Sequence, residues 1–430
     1  MRKNRSYLAW MTMGVSALAL AACGGGGGGS SSGMPGASTP APPATASSFI
    51  NTALVSNTAA GTVDTLPSNT IASGDSSSFT IPQTQNPSLD PNLSHGWGIA
   101  FAPGSAVWVN DHATNLSSLY DGNGALIPSS QQPAVAIPAN ASGGAAGPTG
   151  IVANINTINC STIAAASCTP GTGFSAGAGP ALFIFDGTGG TISAWSTGNT
   201  AITEFDGSAQ GDVFTGLGIY TQSSNATFLL AADFAHGVVD VFDSSFKSNT
   251  TAFAGSFKDP NLPKGYAPFG VQTIGNLIYV SYAEQPSGPG PEVDGAGLGM
   301  VDVFDGTGTL VKELIPTGGA LNAPWGMAMA PANFGSFGGD LLVGNFGDGR
   351  INVFDPSTGK MLGTLTDNAT GKAVHIPGLW GLAFGNGALN QSASTLYYAA
   401  APDMKTQGLY GAISLASSTT TPASPPPSTY

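Results

Sequence analysis

The sequence repeats a motif in which an aspartate follows two apolar residues, and the position ten residues before that aspartate often holds an oxygen-bearing side chain. That position holds Asp111, Asp233 and Asn345, and Glu284 ends the corresponding segment of another repeat. Carboxylate and amide oxygens that converge on one point suit Ca²⁺ or another hard cation. The pattern therefore predicts a metal site formed by Asp111, Asp233, Glu284 and Asn345, with Ca²⁺ as the candidate cofactor.

Two histidines accompany these positions. His112 directly follows Asp111, and His236 lies three residues after Asp233. A base beside a bound cation can activate water for hydrolysis, so His112 and His236 are the candidate catalytic residues. The sequence has no HxH or HxxxH pair, which argues against a zinc site. Alternatively, Asp and Asn at strand ends only cap turns, and the cluster is structural.

Aromatic residues that stand before a glycine form a second candidate site. Trp97, Phe269, Trp325 and Trp380 each precede a glycine, and Asn110 lies near the first of them in the predicted fold. Aromatic and amide groups at the mouth of a channel can hold a ligand, so these five residues are predicted to bind one. In the alternative, glycine lets strands approach closely and the bulky neighbour fills the gap between them.

Six repeats carry these residues. The glycine marks are 52, 68, 52, 56 and 55 residues apart, and they stand at Trp97-Gly98, Thr149-Gly150, Leu217-Gly218, Phe269-Gly270, Trp325-Gly326 and Trp380-Gly381. Each repeat reads as four short strands, the third ending in an apolar pair and an aspartate that forms the next turn. Those aspartates are Asp121, Asp186, Asp243, Asp305 and Asp355.

Repeats of this length with four strands are typical of propeller blades. The sequence therefore predicts an all-β protein, a six-bladed β-propeller with four-stranded antiparallel blades over residues 49–416. The last repeat lacks a fourth strand before the chain becomes rich in Ser, Thr and Pro. The β-prone segment 49–55 is predicted to supply that strand, so that an N-terminal strand closes the ring.

Composition excludes some functions. Of 430 residues, 11 are basic and 24 acidic, which gives a net charge of −13 and excludes nucleic acid as an expected partner. The 62 glycines and 31 prolines argue against a helical protein, while a hydrophobic fraction of 41% suffices for a core. We expect a monomer.

The N-terminus reads as an export signal. A basic start is followed by an apolar stretch over 7–20, too short to span a bilayer, and by Leu20-Ala-Ala-Cys23, which resembles the bacterial lipoprotein cleavage box. Residues 1–23 are thus predicted to be a lipoprotein signal peptide with the lipid on Cys23, an ordinary signal peptide being the alternative. Gly24 is not the aspartate that retains such proteins in the inner membrane, which favours the outer membrane or cell surface.

The segments that flank the propeller are predicted to be disordered. Residues 24–48 form a Gly/Ser/Pro linker and residues 417–430 a Ser/Thr/Pro tail. Export also bears on Cys160 and Cys168, which lie in a Gly/Ala-rich insertion. In an oxidising compartment they are expected to form a local disulfide, with free thiols as the alternative.

Several longer motifs fall in a distinctive order. They are Asp90-Pro-Asn-Leu93, the run from Lys258 to Gly270, Leu321-Asn-Ala-Pro-Trp-Gly326 and the run from Gly339 to Gly349. Over roughly residues 49–415 the chain resembles an uncharacterised family of exported bacterial β-propeller proteins, whose members often carry a PEP-CTERM sorting tail. It is more distantly similar to NHL-repeat and SMP-30-like six-bladed propellers. The resemblance implies fold and export but no activity, and the C-terminus departs from it in having no hydrophobic anchor.

Two functions follow as hypotheses. The first is a lipid-anchored cell-envelope platform that binds a glycan, small molecule or protein without catalysis. The alternative is a metal-dependent, Ca-type hydrolase of lactones or phosphoesters at the mouth of the central channel, which the similarity to SMP-30-like proteins implies. Whether the protein is an enzyme stays open at this point, and we lean against it.

Overall fold

The computed structural model describes residues 47–59, 63–65, 78–80, 85–127, 134–154, 173–288, 290–402 and 406–416. Cys23, Cys160 and Cys168 lie outside these residues, as do the predicted signal peptide, nearly all of the linker and the C-terminal tail. The lipid anchor and the disulfide therefore stay predictions. Among the described residues, no helix has the length and apolar character needed to cross a bilayer.

The regular secondary structure of the described chain is almost entirely β-strand. Two short 3-10 helices, Thr250–Ala252 and Gly335–Phe337, interrupt the strands. The strands are β1 (Phe49–Ser56), β2 (Val63–Thr65), β3 (Ser78–Thr80), β4 (Ser88–Leu89), β5 (Gly96–Phe101), β6 (Val107–Asp111), β7 (Leu116–Tyr120), β8 (Ala134–Ala136), β9 (Pro148–Ala153), β10 (Ser175–Ala176), β11 (Gly179–Pro180), β12 (Phe183–Gly187), β13 (Thr191–Trp195), β14 (Ile202–Asp206), β15 (Phe214–Thr221), β16 (Thr227–Asp233), β17 (Val238–Phe242), β18 (Tyr266–Ile274), β19 (Leu277–Glu284), β20 (Met300–Phe304), β21 (Leu310–Ile315), β22 (Pro324–Met329), β23 (Leu341–Asn345), β24 (Ile351–Phe354), β25 (Met361–Thr364), β26 (Leu379–Phe384), β27 (Leu396–Ala400) and β28 (Leu409–Leu415).

Most of these strands form six antiparallel blades, as the repeats predict, while β2 pairs with β3 and β10 with β11 in separate two-stranded sheets. Numbered along the chain from the innermost strand outwards, the blades are β5-β6-β7-β8, β9-β12-β13-β14, β15-β16-β17, β18-β19-β20-β21, β22-β23-β24-β25 and β26-β27-β28-β1. Blade 3 has three strands within the described residues instead of the predicted four. The innermost strands neighbour one another in sequence order, and β26 neighbours β5, so the ring is closed.

An N-terminal strand completes the last blade, which confirms the prediction for residues 49–55. β1 pairs antiparallel with β28, from Phe49 opposite Leu415 to Ser56 opposite Leu409. The short strand β4 then adds to β1 in parallel. Because the two ends of the propeller share one sheet, opening the ring requires breaking a full ladder of backbone hydrogen bonds.

Adjacent blades are held together by apolar cores. Each of six clusters draws side chains from two neighbouring blades; one, for example, joins Val152 and Ile184 of blade 2 to Leu217 and Leu229 of blade 3. Leu230 faces the opposite way, into the core shared with blade 4. Both faces of a blade are therefore buried, which is why the second strands are continuous apolar runs.

Four of the five predicted turn aspartates are confirmed in that role. The Oδ1 atoms of Asp121, Asp243, Asp305 and Asp355 each accept backbone N–H groups two to four residues ahead. The prediction is wrong for Asp186, which lies in β12, the second strand of blade 2. Its Ile-Phe-Asp sequence imitates the end of a third strand, but the third strand is β13.

Every innermost strand carries a register shift where an x–Gly pair passes the axis. In β5, for instance, Gly96 faces Asp111 and Ile99 faces Val109, so one extra residue is accommodated. Such a bulge bends the strand and re-aims its side chains. In blade 3 the shift falls between Phe214 and Leu217, so the repeated pair there is Thr215-Gly216 and not the predicted Leu217-Gly218.

Six glycines, which we call the glycine collar, sit at these bulges: Gly98, Gly150, Gly216, Gly270, Gly326 and Gly381. A Cβ on Gly381 would lie 2.7 Å from the Trp97 carbonyl oxygen, and one on Gly270 would lie 2.6 Å from that of Trp325. The other four would likewise meet the backbone of the next blade. None of the six has a positive φ, so these positions need glycine for space alone.

Candidate functional site

Polar side chains of the second strands bind the bulged backbone at the axis. Asn110 Nδ2 donates to the carbonyl oxygens of Thr149 and Gly150 at 3.0 and 3.1 Å. Asp186 Oδ1 accepts from Gly150 N–H at 2.6 Å and from the Thr149 hydroxyl at 2.8 Å, and Ser281 Oγ accepts from Gly270 N–H. The predicted ligand-binding residue Asn110 is fully buried and ties blade 1 to blade 2.

The four aromatic residues predicted to bind ligand converge on the axis. Trp97 and Trp380 stack with ring centroids 3.6 Å apart, and Phe269 and Trp325 lie 5.6 and 6.2 Å from Trp380. Phe346 stacks on Trp380 at 4.3 Å. Together with Phe234, 5.3 Å from Phe269, they form what we call the aromatic plug: Trp97, Phe234, Phe269, Trp325, Phe346 and Trp380.

Most of the plug is inaccessible. Trp97, Phe269 and Trp380 are at most 4% exposed, whereas Trp325 and Phe346 are half-buried. Trp325 crosses to blade 3, where its Nε1 donates to the Thr215 carbonyl oxygen at 2.6 Å. The predominant role of these side chains is thus to pack the axis, which favours the packing alternative for the aromatic–Gly pattern.

A small cavity borders the plug. Its volume is about 30 Å³, and the next residues of the inner strands line it: Ile99, Ile151, Leu217, Val271, Met327 and Leu382, together with Trp325. Gln272 and the backbone of Gly270 and Gly326 complete the lining, and the volume is that of about one water molecule. No ligand of drug size fits there.

One end of the propeller, which we call the upper face, is where inner strands begin and second strands end. At its centre His112 and Phe346 are the half-buried outermost rings. His112 packs against Trp97 and against His95, with centroids 5.2 and 4.4 Å apart, and its Nε2 lies 3.0 Å from the Thr188 hydroxyl. His112 therefore continues the aromatic plug towards the solvent.

Just outside the plug a polar pair recurs in four blades. It joins the second-strand residue that faces the inner strand just before the bulge, which is the last strand residue in blades 1, 3 and 5, to its diagonal neighbour on the third strand, on the same side of the sheet. The pairs are Asp111 with Ser118, Asp233 with Asp240, Tyr282 with Asp302, and Asn345 with Asn352. In each case the following residue points the other way, towards the axis, as His112, Phe234 and Phe346 do.

In blades 1 and 5 these pairs bind each other or the neighbouring loop, and within the described residues Asp111 Oδ1 and Asn345 Oδ1 have no hydrogen-bond partner. Asp111 is fully buried and accepts a 2.5 Å hydrogen bond from Ser118, and burial raises the pKa of its carboxyl group well above the usual range. Asn345 and Asn352 both donate to the carbonyl oxygen of Ala320, and Asn345 also donates to Asp348 at 3.0 Å.

The structure does not gather the four predicted metal ligands into one site. Asp111, Asp233 and Asn345 do occupy equivalent places, but each serves its own blade. Tyr282 takes that place in blade 4, because Pro268 pairs with Tyr282, and Glu284 falls two residues further along, opposite Tyr266. Within the described residues, Asp111 and Glu284 belong to no group of three side chains with convergent ligand atoms.

Blade 3 brings Asp212, Asp233 and His236 together instead, with ligand atoms all within 4.8 Å of one another. His236 Nδ1 lies 2.5 Å from Asp233 Oδ2 and 3.5 Å from Asp212 Oδ1. Asp233 is 1% exposed, Asp212 12% and His236 47%, so the group opens to solvent through the imidazole.

Neighbouring charges and burial shift the pKa values of the ionisable groups here. The hydrogen bond that His236 donates to Asp233 raises the pKa of His236, and burial together with the Asp233 charge raises the pKa of Asp212. Burial, followed by the charges of Asp233 and Asp212, raises the pKa of Asp240 to about 6. Sequence reasoning found Asp233 and His236 but missed Asp212, which lies in the loop before β15, where no repeat mark points to it.

Comparison with known proteins supplies relatives but no activity. Two are from Acanthamoeba polyphaga mimivirus: uncharacterized protein R648, 32% identical over 335 residues (75% of this chain, 76% of the relative), and uncharacterized protein L690, 32% identical over 337 residues (75% and 81%). No protein-family model matches. These viral relatives give no support to the resemblance to exported bacterial proteins.

Solved structures with a similar course of the chain include virginiamycin B lyase from Staphylococcus aureus, with 16% identity, coverage of 76% of this chain and 96% of that one, and a TM-score of 0.35. Regucalcin from Agrobacterium tumefaciens, a calcium-binding protein, has 11% identity, coverage of 76% and 91%, and a TM-score of 0.44. At these values the fold assignment rests on the strand pairing of the chain itself.

Asp186 makes the stability depend on pH. Burial raises the pKa of its carboxyl group to about 7. The protonated form is thus favoured in the folded protein, so the stability linked to Asp186 is full below about pH 4 and is lost as the pH rises through about 7. We expect Asp186→Asn to remove a loss of up to about 4 kcal/mol between pH 4 and 8, measured as the free energy of unfolding in denaturant.

The control is Asp243→Asn, at a half-buried turn aspartate that accepts backbone N–H groups. Because Asp243 lies in an outer turn and not at the axial bulge, this variant separates the effect of Asp186 from that of losing one carboxylate. The assignment fails if Asp186→Asn retains the full pH dependence.

Proposed function

We infer that this chain, which belongs to the same family as the uncharacterized proteins R648 and L690 of Acanthamoeba polyphaga mimivirus, is a non-catalytic binding protein that holds its ligand on the upper face. The observation that carries this proposal is the aromatic plug. Stacked rings occupy the part of the axis where an enclosed substrate site would have to lie.

The centre of the upper face offers a binding surface. Phe346 and His112 present partly exposed rings. The half-buried Thr188 adds a hydroxyl beside His112, and the half-buried Gln285 adds an amide that donates to the carbonyl oxygen of Phe234 in the plug. A half-exposed ring on a rigid support makes apolar contact at little entropic cost, and the polar neighbours supply direction. A ligand with an apolar face and hydroxyl edges matches this surface. Since the net charge is −13, we propose a neutral glycan.

The support beneath this surface is rigid. The Trp380 ring is stacked between Phe346 and Trp97. All three rings come from blades fixed by the glycine collar. A ligand that stacks on Phe346 therefore meets a preorganised ring, which keeps the cost of ordering the site low.

The hydrolase alternative is the weaker proposal. It required Asp111, Asp233, Glu284 and Asn345 to share one cation at the channel mouth. Asp111 and Asn345 are instead engaged within their own blades, and Asp233 joins a different set of residues.

The test replaces the outermost ring. Phe346→Ala should weaken binding to immobilised neutral glycans at least about tenfold, because it removes the stacking surface. The control is Phe337→Ala, which truncates a partly buried phenylalanine in the connection between β22 and β23, at the opposite face. Circular dichroism must show both variants folded. Unchanged glycan affinity in Phe346→Ala, or the absence of binding to any glycan of the panel, contradicts the proposal; capture of a protein there would replace the glycan class.

We also propose that the propeller is exported as a monomer and anchored to the cell envelope, at the outer membrane or cell surface, by a lipid on Cys23. The supports are the basic start, the apolar stretch and the Leu-Ala-Ala-Cys box of the sequence. Cys23→Ser should move the protein from the membrane fraction to the soluble fraction of a bacterial expression host. Equal partitioning of the variant and the wild type would rule out the anchor.

A further inference from the structure

The Asp212–Asp233–His236 group differs from the equivalent positions of other blades. The last residue of the second strand and the residue three further on are Asp233 and His236 in blade 3 and Asn345 and Asp348 in blade 5. Asn345 donates to Asp348, so that pair combines one neutral amide with one carboxylate. In blade 3 two carboxylates face one imidazole, so negative charge is in excess.

The carboxylates of blade 3 are held in place before any ion binds. Asp233 Oδ1 accepts three backbone N–H groups, those of Val213, Ala235 and His236, at 3.1–3.2 Å. Its second oxygen, Oδ2, is thereby directed at His236. The Asp212 carboxylate packs directly over Gly207, where a Cβ would overlap with it. Both carboxylates are therefore fixed by packing and hydrogen bonds, as a preorganised metal site requires.

We propose that Asp212, Asp233 and His236 form a site for one divalent cation of the first transition series on the upper face of blade 3. Asp212 Oδ1, Asp233 Oδ2 and His236 Nδ1 are the ligands, and solvent completes the coordination beside the exposed imidazole. The cation replaces the proton that Nδ1 shares with Asp233 Oδ2, and that proton is released to solvent. Asp240, which lies on the same side of the sheet as Asp233, adds a further negative charge nearby.

The donor set selects the class of ion. Ca²⁺ takes six to eight oxygen ligands, and Mg²⁺ binds through carboxylates and waters. An imidazole nitrogen together with two carboxylates suits Mn²⁺ or Zn²⁺ better than either. The site thus differs from the Ca²⁺ site that the sequence predicts both in its residues and in its ion. The cation site does not depend on the glycan proposal, since none of the three proposed metal ligands is His112 or a residue of the aromatic plug.

The experiment is calorimetric titration of the tag-free full chain, freed of metal by a chelator, with Zn²⁺, Mn²⁺ and Ca²⁺ in turn. The wild type should bind one equivalent of Zn²⁺ or Mn²⁺ more tightly than Ca²⁺. Asp212→Asn and His236→Gln should each weaken that binding at least about tenfold, because each removes a ligand. Asp233 is left unchanged in this test, because its bonds to three backbone N–H groups make it necessary for the fold.

The matched control is Asp348→Asn, which removes a carboxylate at the position of blade 5 that is equivalent to His236. This variant should leave metal affinity within about twofold of the wild type. For Mn²⁺, a ¹⁴N coupling in the electron spin echo spectrum should be present in the wild type and absent in His236→Gln. The proposal is overturned if no equivalent of metal binds, if both ligand variants bind like the wild type while folded, or if Ca²⁺ binds most tightly.

Discussion

The close approach of six inner strands at the axis is the constraint on which the rest of the structure depends. The collar glycines allow the backbone of one blade to contact the backbone of the next, and no side chain could be accommodated there. The bulge at each of these positions turns the preceding residue towards the axis. In four blades that residue is Trp97, Phe269, Trp325 or Trp380, so the same device that closes the ring also fills its centre.

The position of potential chemistry follows from this arrangement. Because adjacent residues of a strand point in opposite directions, the second strands send one residue to the axis and its neighbour between the blades. Phe234 and Phe346 take the axial places, and Asp233 and Asn345 take the places between blades. Polar ligand atoms are therefore distributed around the upper face, one blade at a time. This favours surface binding at the centre and a separate, local cation site in blade 3.

Much of the fold could be predicted because its signals are local. Apolar–Asp pairs at third-strand ends, glycine marks and the β-prone segment at 49–55 indicated six blades and their closure. The wrong predictions share one physical reason: strand pairing, and not the local amino-acid sequence, decides to which strand of a blade a motif belongs. Asp186 lies in the same Phe-Asp sequence as the turn aspartates but serves the axial bulge. Likewise, adjacent residues of a strand face opposite ways, so the sequence did not show that His112 and not Asp111 faces the axis. The approach of Asp212 to Asp233 leaves no mark in the sequence.

The direct test of this account is the stability of Gly381→Ala compared with Gly319→Ala in denaturant. The first variant places a methyl group 2.7 Å from the backbone oxygen of Trp97, whereas the second has only the Pro316 oxygen at 3.9 Å nearby. The account predicts a loss of at least about 2 kcal/mol in the free energy of unfolding for Gly381→Ala, and less than about 0.5 kcal/mol for Gly319→Ala. Equal stability of the two variants would contradict the claim that backbone contact at the axis sets the architecture.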